Sequence, residues 1–122
     1  VGIAYLFGAD LTIQKAMMAK SVTAPIAMGV AERIGASPTL TAVFAVTTGV
    51  LGAIVARYVL DAMRLTEWWQ RGFAIGVASH GIGTSRALSV NAEAGAFAGL
   101  AMGLHGIAGA VLLPLLPRLL PA

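Results

Sequence analysis

The sequence contains few charged residues and no cysteine. Only 11% of its 122 residues are Asp, Glu, Lys or Arg, whereas 58% are hydrophobic, and the mean hydropathy is +0.87. Because a soluble domain carries about 25% charged residues, this chain has too few to cover a water-exposed surface. The composition therefore predicts a membrane protein. The lack of cysteine excludes disulfides and thiolate–metal chemistry.

The basic residues are scattered, although the net charge is +3. No basic run or stripe is present, so we predict no nucleic-acid partner and interpret these residues as topology markers. If every apolar segment crosses the membrane, Arg33 stands alone on one side. The opposite side, which we expect to be cytoplasmic, then carries Lys15, Arg57, Arg64, Arg71 and Arg118.

Four apolar segments divide the chain. Ile34–Ala56 and Ala94–Pro117 lack charge and are long enough to cross about 30 Å of hydrocarbon. Ala16–Ala31 and Gly72–Leu88 contain polar interruptions. The pattern predicts an all-α, polytopic membrane helical bundle with two broken (discontinuous) helices and two full-length transmembrane helices. The segment Arg57–Arg71, between the first full-length helix and the second broken one, contains two tryptophans and predicts an interfacial loop or short surface helix.

The first nine residues are apolar but too short to span a membrane, and no basic flank marks a signal peptide. We expect Val1–Ala9 to be the end of a helix that begins further upstream. Residues 1–122 would then form a single membrane domain, a fragment of a longer protein. Thr48–Ala53 and His105–Ala110 also match at an offset of 57. Such matches arise by chance in glycine-rich helices, but repeated units with broken helices are also typical of transporters.

Each interrupted segment has a polar break followed by Ser or Thr at the start of a new helical run. Thr23 can cap the run that contains Pro25, and Thr84 or Ser85 can cap the other run, after two glycines. A helix N-terminus exposes unpaired N–H groups and attracts anions. Two such ends within the bilayer would form a pocket for a small carboxylate.

The candidate substrate site combines the two breaks. Lys20 or Arg86 would neutralise the carboxylate, and His80, whose imidazole ordinarily titrates near pH 6.5, could carry a proton. No catalytic residue, metal or cofactor is predicted. The candidate substrate-binding residues are Lys20, Ser21, Thr23, Ser79, His80, Gly81, Gly83, Thr84 and Arg86.

Simpler interpretations remain open. The breaks could be kinks whose hydroxyls bond back to the helix, and the cations in them could extend to the membrane interface. We expect His105 to form an interhelical hydrogen bond. We also expect packing faces with a four-residue spacing, formed by Gly95, Gly99 and Gly103 and by Ala45, Gly49 and Ala53.

Signatures of soluble enzymes are not met. Val77 replaces the first glycine of a G-x-S-x-G nucleophile elbow, and Arg86 stands where a dinucleotide fingerprint needs Gly or Ala. Two histidines distant in sequence do not make a metal site. We therefore expect no enzyme. The remaining enzymatic hypothesis is an intramembrane serine hydrolase that uses Ser79 and His80, which a fluorophosphonate probe would label.

Four blocks of the sequence resemble the C-terminal half of the LrgB/CidB family of bacterial membrane proteins. The blocks run in family order from about residue 15 to residue 116, and the SHGIGT motif is especially specific. Leu88–Ala92 is less acidic than the family pattern. The blocks are Lys20–Ala27, Leu40–Phe44, Ala78–Ala87 and Glu93–Leu104.

The resemblance implies two descriptions of function. One is a transporter of small monocarboxylates, either glycolate and glycerate, as in the plastidic relatives of the family, or pyruvate, as in bacterial ones. The other is an antiholin- or holin-like regulator of murein hydrolase activity and lysis, acting with a small LrgA/CidA-type membrane partner and forming homo-oligomers. Both descriptions imply an integral membrane protein, and because the family is bacterial we expect this one in the bacterial inner membrane.

Overall fold

A computed structural model describes residues 1–118, with the side chains of 1–115, and contains only helices in that range. The predicted all-α class is confirmed. Residues 119–122 of the predicted domain lie outside the described range. The elements are α1 (Gly2–Leu6), α2 (Leu11–Met18), α3 (Ala24–Arg33), α4 (Pro38–Ala62), α5 (Trp68–Val90), α6 (Ala92–Leu112) and a short 3₁₀ helix (Leu113–Arg118).

Two helices are long and apolar enough to cross a membrane. They occupy Pro38–Ala62 and Ala92–Leu115, with mean hydropathies of 2.0 and 1.8, which confirms the two predicted long segments. At 1.5 Å per residue, 24 residues extend about 36 Å, more than the hydrocarbon thickness. Polar caps define where both begin. Ser37 Oγ accepts a hydrogen bond from Leu40 N at 3.3 Å, and Asn91 Oδ1 accepts one from Ala94 N at 3.1 Å.

The region between α4 and α5 differs from the prediction. Arg57 and Asp61 lie on α4, which continues to Ala62, and Trp68 already begins α5. The predicted interfacial loop from Arg57 to Arg71 is therefore wrong in extent. Charged residues at a helix end do not interrupt the backbone hydrogen bonds. The turn occurs instead at Arg64, which has a positive φ of 57°.

The chain divides into two compact units. The first contains residues 1–45 together with the described residues from 106 onward. Its buried core consists of apolar side chains from α3, from the segments on either side of it and from α4, and Leu113 packs against them. Ile26 lies 2.9 Å from the position of a Cβ added to Gly106, so side chains of α3 reach the backbone of α6 closely. The core residues are Ala19, Val22, Ala27, Val30, Ile34 and Ala45.

The second unit, residues 46–105, contains a reversal of chain direction inside α5. His80 has φ 47° and ψ −134°, outside the helical region. In a continuous helix, residues eight apart are separated by about 12 Å. A Cβ added to Gly83 would nevertheless lie 2.8 Å from Ile75 Cγ2. Residues 81–90 therefore fold back along residues 68–79, and the end of α5 lies near its beginning.

Glycines on α5 allow it to pack tightly on α6. A Cβ added to Gly72 or Gly76 would overlap the carbonyl oxygen of Ala94 or Ala98, respectively. The matched spacing means that residues 68–79 run parallel to the first half of α6. The sequence analysis did not identify this contact.

The predicted face of α6 is occupied only in part. Gly95 lies against Leu88, with 2.5 Å between an added Cβ and Leu88 Cδ1. Gly99 and Gly103 would meet nothing within 4 Å among the described residues. The prediction of a packing face at Gly99 and Gly103 therefore finds no partner within this part of the chain.

Candidate functional site

The reversal in α5 places two polar side chains inside the second unit. Ser79 is fully buried, and His80 is 4% exposed. Ser79 Oγ occupies the space beside Gly52 of α4, because a Cβ at Gly52 would overlap it. Within residues 1–115, this hydroxyl has no hydrogen-bond partner. A buried hydroxyl without a partner costs about 1–3 kcal/mol, so this group could gain energy by binding a polar ligand.

Two histidines lie close together next to this serine. The ring centroids of His80 and His105 are 6.5 Å apart. His105 Nδ1–H donates to the carbonyl oxygen of Val77 at 3.1 Å, which links α6 to α5. The predicted interhelical hydrogen bond of His105 is thus confirmed. In neutral His105 this bond leaves Nε2 as an acceptor.

The residues after the reversal have roles other than those predicted. The second run of α5 begins directly after His80, so Thr84 and Ser85 come too late to cap it. Thr84 Oγ1 instead donates to the carbonyl oxygen of Ala98 at 3.4 Å. Gly83 is buried, and a Cβ there would overlap Ser79 Cβ. Its role is to permit close approach of the two runs. Gly81 is exposed at the start of the second run.

The other candidate residues belong to the first unit. They lie where the chain is interrupted between α2 and α3. Thr23 is at the N-cap position of α3, and Pro25 is in the first turn, as expected, but the Thr23 hydroxyl makes no capping hydrogen bond. Lys20 is half-buried, and Ser21 is exposed.

Arg86 lies apart from the serine and histidine pair. It lines a cavity with Arg57 and Arg71, at the charged end of α4. Glu93, which lies seven residues after Arg86, forms no ion pair with it. The one ion pair among the described side chains joins Arg71 and Asp61. The structure therefore groups Ser79, His80, Gly83 and Thr84, and it places Arg86 with other arginines.

Sequence reasoning missed three contributors to these sites. Gly52 provides the space for Ser79, His105 lies beside His80, and Arg57 shares a cavity with Arg86. The polar character of His105 within an apolar run was the available signal. Nothing in the local sequence marks Gly52, rather than the other glycine of α4, Gly49, as the neighbour of Ser79. Residues 1–115 contain no group of three or more His, Cys, Asp or Glu side chains arranged to hold a metal ion.

Known proteins similar to this chain have membrane-related names or no assigned role. Holin-like protein CidB of Staphylococcus aureus is 33% identical over 110 residues, which cover 90% of this chain and 48% of the relative. The uncharacterized protein YwbG of Bacillus subtilis is 37% identical over 91 residues, covering 75% and 40%. An uncharacterized protein of Haemophilus influenzae is 31% identical over 118 residues, covering 97% and 51%.

The chain spans about half the length of the curated relatives it matches. No solved structure matches it. The sequence model of the LrgB-like family matches residues 1–119, nearly the whole chain. The two long apolar helices agree with the membrane location predicted from composition. This membrane protein therefore belongs to the LrgB-like family.

Proposed function

We propose that this protein is a holin-like component of the bacterial inner membrane, which alters membrane permeability and thereby influences murein hydrolase activity and lysis. The observation that carries the proposal is the similarity of 90% of the chain to Holin-like protein CidB. That name favours the second function considered in the sequence analysis over carboxylate transport. A small LrgA/CidA-type membrane protein would be the partner.

An open helix face supports a holin-like assembly. Gly99 and Gly103 are one helical turn apart on α6, and a Cβ added to either would meet nothing within 4 Å among the described residues. Small residues at this spacing let two helices approach closely in lipid. We propose that copies of the protein pack through this face to form the homo-oligomer. Such an assembly would admit solutes according to size instead of recognising one chemical group.

The protein in phosphatidylglycerol vesicles should release trapped carboxyfluorescein in proportion to the protein-to-lipid ratio. Because release would depend on assembly, Gly103→Leu should reduce it at least about threefold by blocking close helix approach. Gly29→Leu is the matched control, since Gly29 also has nothing within 4 Å but lies on α3. Fluorescence dequenching measures the release. Retention of the dye at every protein density would contradict the holin-like function.

The second candidate function is transport of a small monocarboxylate such as glycolate, glycerate or pyruvate. It is favoured by the buried hydroxyl of Ser79, which has no hydrogen-bond partner among residues 1–115, next to the start of residues 81–90. The first N–H groups of that run would attract a carboxylate. His80 would bond the substrate or carry a proton. We propose that the interruption between α2 and α3, with Lys20, Ser21 and Thr23, supplies the second discontinuous helix of such a transporter.

Saturable uptake of labelled glycolate, glycerate or pyruvate tests this candidate. If Ser79 Oγ bonds the carboxylate, Ser79→Ala should raise KM about tenfold, since a hydrogen bond to a charged group contributes about 1.5–3 kcal/mol. The measurement is uptake into vesicles against substrate concentration. Ser85→Ala is the control, because Ser85 is exposed. Uptake that rises linearly with concentration, without saturation, would exclude the transporter and leave the holin-like function.

A further inference from the structure

A cavity in the second unit is charged at one end and apolar at the other. It has a volume of about 650 Å³ and lies between α4 and both runs of α5, at the beginning of α6. Three arginines and one aspartate line it, which gives a net charge of +2 (three minus one). Its walls are otherwise mostly aliphatic. The aliphatic residues include Val50, Ile54, Ile75, Ile82, Ala87 and Val90.

The three arginines are not equivalent. Arg71 donates to Asp61 Oδ1 at 2.7 Å and to the carbonyl oxygen of Leu65 at 2.9 Å, so its charge is already paired with a carboxylate. Arg57 and Arg86 are exposed, and no carboxylate among residues 1–115 lies within ion-pair distance of either. Arg57 is held over the ring of Tyr58, 5.0 Å from its centroid. Two guanidinium groups are therefore available to an anion.

The reversal of α5 places Arg57 and Arg86 at a similar distance along the helix axes from the contact between α4 and α5. Gly52 and Ser79 are in contact, and Arg57 and Arg86 lie five and seven residues beyond them. At 1.5 Å per residue, each arginine is about 8–10 Å from that contact, in the direction of the turn between α4 and α5. Val50 and Ile82 lie nearer the level of the contact, so the aliphatic end is the deeper one.

A ligand that satisfies both ends needs an anionic head and an apolar chain. Arginine forms paired hydrogen bonds with phosphate oxygens, and basic pockets between membrane helices bind phosphate headgroups. A free phosphate or small carboxylate would leave the aliphatic end unfilled. We propose that this cavity binds one anionic phospholipid. Arg57 and Arg86 hold the phosphate, and one acyl chain lies along Val50, Ile54 and Ile82.

Lipid retention tests the proposal for any membrane function of the protein. The protein is incorporated into bilayers of equal phosphatidylglycerol and phosphatidylcholine, and the lipids that copurify after mild detergent extraction are counted by native mass spectrometry. Phosphatidylglycerol should be enriched at least about fivefold. Arg57→Gln or Arg86→Gln should each reduce that enrichment about fivefold. Arg64→Gln, which removes the same charge outside the cavity lining, should leave it unchanged.

Tryptophan quenching locates the start of the acyl chain. Trp68 lines the cavity at its charged end, whereas Trp69 contacts Phe97 at 6.2 Å and does not line it. In phosphatidylcholine containing a little phosphatidylglycerol that is brominated close to its glycerol, Trp69→Phe protein should be quenched at least about twofold more than Trp68→Phe protein. Equal quenching, equal retention of the two lipids, or an equal loss in Arg64→Gln would overturn the proposal. Displacement of the lipid by millimolar inorganic phosphate would also overturn it, because the site would then recognise phosphate alone.

Discussion

Replacing Gly76 with alanine is expected to destabilise the protein by about 2–3 kcal/mol. The added Cβ would overlap the carbonyl oxygen of Ala98 and lie 2.8 Å from its carbonyl carbon and Cα. These are backbone atoms of α6, so no side-chain rotation can relieve the overlap, and the two helices must separate. Overpacking of this kind costs about 1–3 kcal/mol, and separation also loses dispersion contacts along the interface. Alanine's better helix propensity would return only about 1 kcal/mol.

Gly29 provides a matched control for this substitution. It is also a helical glycine, on α3, but an added Cβ would meet nothing within 4 Å. Gly29→Ala should therefore be neutral or stabilising by up to about 1 kcal/mol. Unfolding in mixed micelles, followed by circular dichroism, measures both variants. Equal stabilities of Gly76→Ala and Gly29→Ala would contradict the close contact between α5 and α6.

The two long helices could be predicted because their signal is continuous. A run without charge, long enough to cross the bilayer and bounded by polar residues, leaves few alternatives to a helix. The extent of α4 was less predictable. Charged residues such as Arg57 and Asp61 after an apolar run indicated a loop. Long charged side chains at a helix end can, however, extend outward without breaking the backbone hydrogen bonds. The turn itself depends on the positive φ of Arg64. A glycine at that position is the usual signal of such a turn, and the sequence has an arginine there.

The reversal in α5 was only partly predictable. Gly81 and Gly83 marked an interruption in the sequence, and the structure does depart from helical geometry there. It does so at His80, the residue before the glycines. Sequence patterns assign positive φ to glycine, since other residues adopt it at a cost. The sequence could not indicate that a histidine would occupy this conformation. The topology read from the charges assumed that this segment crosses the membrane, whereas the chain folds back at His80.

The sequence predicted which polar residues of α5 form the site better than it predicted the residues that surround them. Ser79 and His80 were selected because polar groups are rare in apolar segments and usually have a role. Their surroundings depend on which helices meet, and one sequence does not encode that in a local pattern. His105 lies 25 residues after His80, and only the parallel packing of α6 on residues 68–79 brings the rings together. Arg86 lies in the same cavity as Arg57 because the chain folds back at His80.

Replacing His80 with glycine or alanine should separate the function of its ring from the strain in its backbone. At φ 47° and ψ −134°, a residue with a Cβ is strained by about 1–3 kcal/mol, whereas glycine is not. Both variants lose the buried ring, which destabilises them equally. His80→Gly should thus be about 1–2 kcal/mol more stable than His80→Ala, the reverse of the usual order of these residues in a helix. Unfolding in mixed micelles gives the difference.

Function should respond differently from stability in the same two variants. If the imidazole bonds a substrate or carries its proton, both variants lose the ring and should lose saturable monocarboxylate uptake alike, by at least about tenfold. Their dye release, which the holin-like function attributes to helix assembly, should remain near the level of the unmodified protein. A greater stability of His80→Ala would show that the chain does not reverse at this residue. Uptake retained in His80→Gly would show that the ring only supports the fold, since this variant keeps the reversal and removes every atom that could bind or transfer a proton.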